Sequence, residues 1–407
     1  MRCTPLLLAL ACTVGACSRD DPATPPAAPL PDASVASSRG HGRAGLAEGQ
    51  SIFRFDTFGD ETFWTDTLRM HEVIRTSVSP NTALSVGLKV DADALPEAVK
   101  SAIQTNGVDL NAPATTVTLL KLGAVVGVRG QVDENGTLQR VGITCAFCHS
   151  TVDNSFAPGI GRRLDGWPNR DLNVGAIVSL SPVLTPAQRA VYGSWGPGMY
   201  DPRFNIDGKN MPVVIPPAFG LRHIAREIYT GDGPVSYWNA YVAITQMHGH
   251  GHFVDARLGI DVNNTPPDLV SSKLAALREY QFSLDAPEAI SGTFDAQAAR
   301  RGRAVFQGVA RCASCHIAGS LSDVNQGRLH PAAEVGQDPE YALRSATKLY
   351  RTTPLRGLWH PPQLQGPYFH DGKAKTLDEA VDHYVDLFKL QLSGEQKRDL
   401  VEYLKTL

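Results

Sequence analysis

Cys145-Ala146-Phe147-Cys148-His149 and Cys312-Ala313-Ser314-Cys315-His316 write the pentapeptide Cys-x-x-Cys-His twice in a chain of 407 residues. One short helical turn sets the two thiols at the separation of the two vinyl groups of a porphyrin, and the histidine that follows reaches the iron. This is the attachment signal for haem c. Half a zinc site or a redox dithiol would use the same residues. Zinc would require a matching second pair of ligands, and thioredoxin-type chemistry a single motif beside a βαβ unit, whereas here both motifs end in His. The spacing therefore predicts two haem c groups, with thioethers on Cys145, Cys148, Cys312 and Cys315 and iron ligation by His149 and His316. The other three of the seven cysteines, Cys3, Cys12 and Cys17, lie at the N-terminus, so none remains for a disulfide.

Residues 1–16 have a basic start, an apolar run from Leu6 to Ala11 and small residues before Cys17, the pattern of a signal peptide too short to span a membrane. Val14-Gly15-Ala16-Cys17 resembles a bacterial lipobox, which would make Cys17 the lipidated first residue of the mature chain. A plain signal peptide with an incidental Cys17 is the alternative. Residues 17–46, rich in Pro, Ala and Ser from Asp20 to Ser38, read as a tether. The expectation is an exported protein, lipid-anchored on the periplasmic side of a bacterial membrane, with the outer membrane favoured by Ser18. A net charge of -3 offers no electrostatic case for nucleic acid.

The remainder divides into residues 47–287 and 288–407. In the second part Ala298, Gly302 and Phe306 share one helical face ahead of Cys312, and Ser393 with Gln396 forms a capping box opening a last helix with Leu400, Tyr403 and Leu404 inward. Two such helices packed across each other are the frame of a cytochrome c domain. In the first part the β-prone stretches Thr116–Leu122 and Val125–Val128, a turn at Glu134-Asn135-Gly136 and Leu138–Ile143 predict a short hairpin leading into the first motif. Ala218–Tyr229 reads as a short helix. The predicted fold is mainly α, with two cytochrome c-like haem domains, the first enlarged by loops and a short β-hairpin.

Tyr350-Arg351-Thr352-Thr353-Pro354-Leu355-Arg356-Gly357, Gly366-Pro367-Tyr368-Phe369-His370-Asp371-Gly372 and Thr376-Leu377-Asp378-Glu379-Ala380-Val381 resemble the second haem domain of bacterial di-haem cytochrome c peroxidases and MauG-type proteins. The resemblance covers about the last 110 residues. The upstream part diverges, and its long insert is nearer in style to di-haem oxygenases that cleave polyisoprene. The resemblance implies one haem that relays electrons and one that meets hydrogen peroxide or dioxygen, together with an electron-donor protein such as a small cytochrome or cupredoxin. It also implies Ca2+ between the domains, with Thr352 and Pro354 at the positions of its carbonyl ligands. A ligand to the second iron is implied where Asp382-His383-Tyr384 stands: Tyr384 aligns best, and His383 is adjacent. No methionine follows Met247, so a Met ligand from that domain is excluded.

Opening an O–O bond needs a proton donor. Glu227 is the one glutamate between His149 and Arg278, and it lies four residues after His223, so both are catalytic candidates; an ordinary surface i,i+4 pair is the alternative reading. Met247-His248-Gly249-His250-Gly251-His252 could supply a ligand to the first iron, bind a separate metal, or form a polar loop. Met199 and Met211 are further ligand candidates, and Trp167 and Trp195 are candidates for an inter-haem bridge or for packing. Three functions stand open: a peroxidase-type oxidoreductase, a pure electron-transfer lipoprotein, and an oxygenase acting on an apolar substrate.

Overall fold

The computed structural model describes residues 43–358 and 366–407. The expected signal peptide, Cys17 and most of the expected tether lie outside the described residues, although helix α1 (Arg43–Phe55) begins within the last residues assigned to that tether. The described residues are mainly helical, with sheets of two strands each. No helix among them is long and apolar enough to cross a membrane.

Thr116–Leu122 is not a strand. It lies largely in helix α2 (Pro113–Lys121), whose Pro113 sits in the first turn, where its missing N–H costs nothing. Thr116, Val117, Leu119 and Leu120 are buried, and this packing overrides the β-preference of the branched side chains. The hairpin begins later, pairing β1 (Val128–Val132) with β2 (Leu138–Ile143) in the antiparallel register Val128↔Ile143 and Gly130↔Val141. The turn carries Gly136 at φ 80, and Asp133 Oδ1 accepts from Thr137 N at 2.8 Å. The second strand then delivers the chain to the first motif, where Thr144 N donates to Gly127 O at 3.0 Å.

The expected helix over Ala218–Tyr229 does not form. Pro216 and Pro217 precede it, and His223 and Ile228 take left-handed φ values of 66 and 63, which a helix cannot contain. The segment is a looped wall instead. Glu227 N bonds to Gly233 O at 2.8 Å, and Asp232 is tied to buried Arg203.

The C-terminal frame follows the expected pattern. Helix α3 (Ala296–Gln307) buries Ala298, Gly302 and Phe306, and helix α5 (Gly394–Leu404) buries Leu400 and Leu404 behind the Ser393/Gln396 capping box. The helices touch backbone to backbone: a Cβ on Gly302 would lie 1.9 Å from Asp399 O. Between them in sequence, helix α4 (Leu377–Phe388) packs against the end of the frame. Buried Arg344 binds Asp201 at 3.0 Å and Asp207 at 2.7 Å, so the long insert of the N-terminal part is fastened to the C-terminal part. Such a buried network fixes geometry more than it adds stability.

Candidate functional site

Both Cys-x-x-Cys-His motifs line one cavity of about 930 Å³. Its four motif cysteines are free of disulfides. The first motif forms a short helix over Ala146–His149, and the second a 3-10 turn over Cys312–Ser314. His149 Nδ1 donates to Pro216 O at 3.1 Å, and His316 Nδ1 donates to Leu321 O at 2.9 Å. A carbonyl only accepts, so both rings are fixed in the tautomer that leaves Nε2 with its lone pair, the orientation a metal ligand requires. Burial keeps both neutral: His149 is pushed down to about 4, and His316 is lowered as well.

The motif thiols are buried, which raises Cys145 and Cys148 to about 12 and Cys312 to about 11. Among the described residues, the group of His, Cys, Asp or Glu ligand atoms that could hold an ion is Cys315, Asp323 and His330, which takes one cysteine from a motif rather than two. In that group His330 is already held, Nε2 against Asp323 at 3.0 Å and Nδ1 against Glu334 at 3.0 Å. The cavity instead suits a porphyrin. Its walls are largely apolar, yet Arg170 and Arg351 line it with buried Nε atoms that have no protein partner. Arg351 already holds the Glu227 carboxyl through Nη1, so each Nε is one further buried donor, of the kind that suits a haem propionate.

Glu227 lines the same cavity and is 6% exposed. Its Oε2 accepts from Arg351 Nη1 at 2.8 Å, while Oε1 is buried without a partner. Burial raises its carboxyl to about 7, against the opposing pull of Arg351 and Arg356. It is therefore not a surface group, and the i,i+4 reading is overturned with the helix that carried it. His223 is separated from it: exposed, off the cavity, with its carbonyl accepting from Asn325 Nδ2 at 2.5 Å. Arg351 was present in the sequence motif but gave no sign of this pairing, because 124 residues separate it from Glu227.

The Gly-His loop divides three ways. His248, at φ 66, lines the cavity and stacks on Phe63 with centroids 3.7 Å apart. His250 packs against Gly59, and His252 pairs with Asp261 at 2.7 Å across the two strands of its own hairpin. The three rings do not converge on a common metal. Of the methionines, Met247 lines the cavity, whereas Met211 packs in the C-terminal core and Met199 lies in a short strand. Trp195 lines the cavity, donating to Asn210 Oδ1 at 2.7 Å, and Trp167 packs edge-on against Phe219 at 6.0 Å.

Tyr384 lines the cavity, and burial together with Cys315 and Cys312 raises its phenol. His383 faces elsewhere, with Nε2 on Val335 O at 3.1 Å. At the carbonyls implied for calcium, Thr352 O accepts from Ser322 Oγ at 2.6 Å and Pro354 O from Arg356 N at 3.1 Å. The Cys315, Asp323 and His330 group lies beside Thr352, whose Oγ1 meets His330 Nε2 at 3.0 Å.

The cytochrome c family matches residues 299–407. The methylamine utilization protein MauG of Methylorubrum extorquens is 31% identical over 125 residues, covering 27% of this chain and 34% of that protein. MauG of Methylophilus methylotrophus is 26% identical over 127 residues, covering 27% and 37%. The matched region thus spans 34% and 37% of the length of these curated relatives. Two solved structures align with a TM-score of 0.33. Hydrazine synthase of Kuenenia stuttgartiensis pressurized with xenon is 20% identical over 48% of this chain and 72% of its own. A MauG-like protein associated with microbial copper homeostasis is 17% identical over 49% and 74%. Residues 299–407 thus match the cytochrome c family, and about a quarter of the chain is similar to MauG.

Proposed function

We propose that this protein is an exported, lipid-anchored di-haem cytochrome c and a peroxidase-type oxidoreductase, in which the domain of residues 288–407 passes electrons to a reactive site in residues 47–287. When bound, the two haems supply one-electron chemistry and a place for hydrogen peroxide or dioxygen to bind. Cys145, Cys148 and His149 would hold the first, and Cys312, Cys315, His316 and Tyr384 would hold the second. Converting hydrogen peroxide to two waters consumes two electrons and two protons, so two electron sites and one proton donor are the minimum set. An external small cytochrome or cupredoxin replenishes the electrons.

The observation that carries this reading is Glu227. A buried carboxyl raised to about 7, in a cavity shared by both motifs, exchanges its proton near neutral pH and is suited to give a proton and recover it. Arg351 holds Oε2, so the acid has a fixed position. His149 and His316, locked by Pro216 and Leu321, present the same ring nitrogen throughout.

Peroxide turnover by the half-reduced holoprotein tests the proposal. Wild type should turn over, and Glu227→Gln should lose about 10²–10⁴-fold while keeping both haems. A protein with both irons low-spin, binding neither cyanide nor carbon monoxide, would instead be the pure electron carrier.

A further inference from the structure

Glu227 would ionise less readily than it does if burial acted on it unopposed, and the groups that oppose burial are Arg351 and, more weakly, Arg356. Arg351 is itself fixed from several directions. Its Nη1 donates to Glu227 Oε2 and to Arg226 O, each at 2.8 Å, and its backbone N donates to Tyr229 O at 2.8 Å. Arg351 is thus fastened to both sides of the loop that carries Glu227, by its guanidinium on one side and its backbone N–H on the other. The next two residues lead to the other haem motif: Thr352 Oγ1 meets His330 Nε2 at 3.0 Å, and the backbone of Thr353 reaches the His316 ring.

We propose that Arg351 is a positioning residue, which holds the Glu227 carboxyl in one orientation by a charge-assisted hydrogen bond and sets the pH range in which that carboxyl exchanges its proton. The proposal rests on Glu227 being the acid at the reactive site. The charged groups facing Glu227 are Arg351 and Arg356, and Arg356 is committed to Gly220 O and Gly319 O. Trp238 Nε1, donating to Glu227 O at 3.2 Å, fixes the backbone without reaching the carboxyl. Removing the guanidinium therefore leaves desolvation largely unopposed, and the carboxyl should hold its proton to higher pH.

The test is an infrared pH titration of the Glu227 carboxyl in the di-haem holoprotein, with the band assigned by its loss in Glu227→Gln. In Arg351→Gln the inflection should move up by about 1–3 pH units, and in Arg351→Lys it should stay within about one unit of wild type. An unmoved inflection in Arg351→Gln overturns the proposal. Should that variant fail to fold, Arg351→Lys decides: it keeps the charge and loses the planar fork, so a broadened carboxyl band at a retained inflection supports positioning, and an unchanged band overturns it. Peroxide turnover by Glu227→Gln reports separately on the acid's role, so the two ideas can fail independently.

Discussion

His383 Nε2 donates to the Val335 carbonyl at 3.1 Å, while its neighbour Tyr384 lines the cavity that holds Cys312, Cys315 and His316. Successive residues of a helix diverge by about a hundred degrees, so one side chain of such a pair faces a given site. Of the two, Tyr384 is the one we propose as the ligand. A phenolate donor stabilises ferric iron more than a thioether does, so the second haem should have a lower potential than a His/Met haem. Tyr384→Phe should change the ferric spectrum and raise the potential of that haem, and His383→Ala should leave both nearly as they are. A His/Met charge-transfer band assigned to this haem would refute the assignment.

Cys312→Ala/Cys315→Ala should leave one haem on the chain by mass spectrometry. Val305, Phe306, Leu400 and Leu404 form the core beside this motif, and Phe306, Leu400 and Leu404 also line the cavity. Losing the cofactor should therefore unfold the frame of helices α3 and α5. Retention of two haems would contradict the attachment sites.

What the sequence revealed of this frame was local. The Ser393/Gln396 box and the spacing of Ala298, Gly302 and Phe306 are written within one helix each, and the structure has both. Thr116–Leu122 misled because its β-branched residues outweighed one signal, Pro113 at a helix start. Ala218–Tyr229 misled because left-handed turns at His223 and Ile228 leave no mark in residue type. Glu227 was found by scarcity of glutamate, but its environment is tertiary: the buried wall raises its carboxyl and the guanidinium of Arg351 pulls it back.

Gly302→Ala tests how tightly the frame is closed. A methyl group 1.9 Å from Asp399 O must force the helices apart, and backbone cannot yield as a flexible side chain would. The cost should be at least about 1–3 kcal/mol, read as a lowered melting temperature of the holoprotein. Arg301, bonded to Asp399 by two contacts of 2.7 Å, would be displaced with it. A variant melting with wild type would show that the crossing is looser than this.

The Gly-His loop yields a contrast within six residues. His248 lines the cavity flat against Phe63, while His252 sits outside, paired with Asp261. His248→Ala should alter the optical or paramagnetic spectrum of the first haem, and His252→Ala should not. Equal effects, or none from either, would remove His248 from the site.

The pH dependence of Glu227 can be worked out in sign. Its carboxyl is raised from 4.5 to about 7 in the folded protein, so between those values the folded chain holds a proton that the unfolded chain has released. Stability from this group is fully present below about pH 4.5 and is lost as pH rises through about 7. Glu227→Gln has no such group, so its stability relative to wild type should climb across that window and level off above it. Turnover follows the same proton: wild-type activity should fall as pH rises through about 7, where the acid form disappears. The residual activity of Glu227→Gln should lack that limb. A variant that kept the limb would place the titrating group elsewhere, because nothing ionisable then remains at position 227.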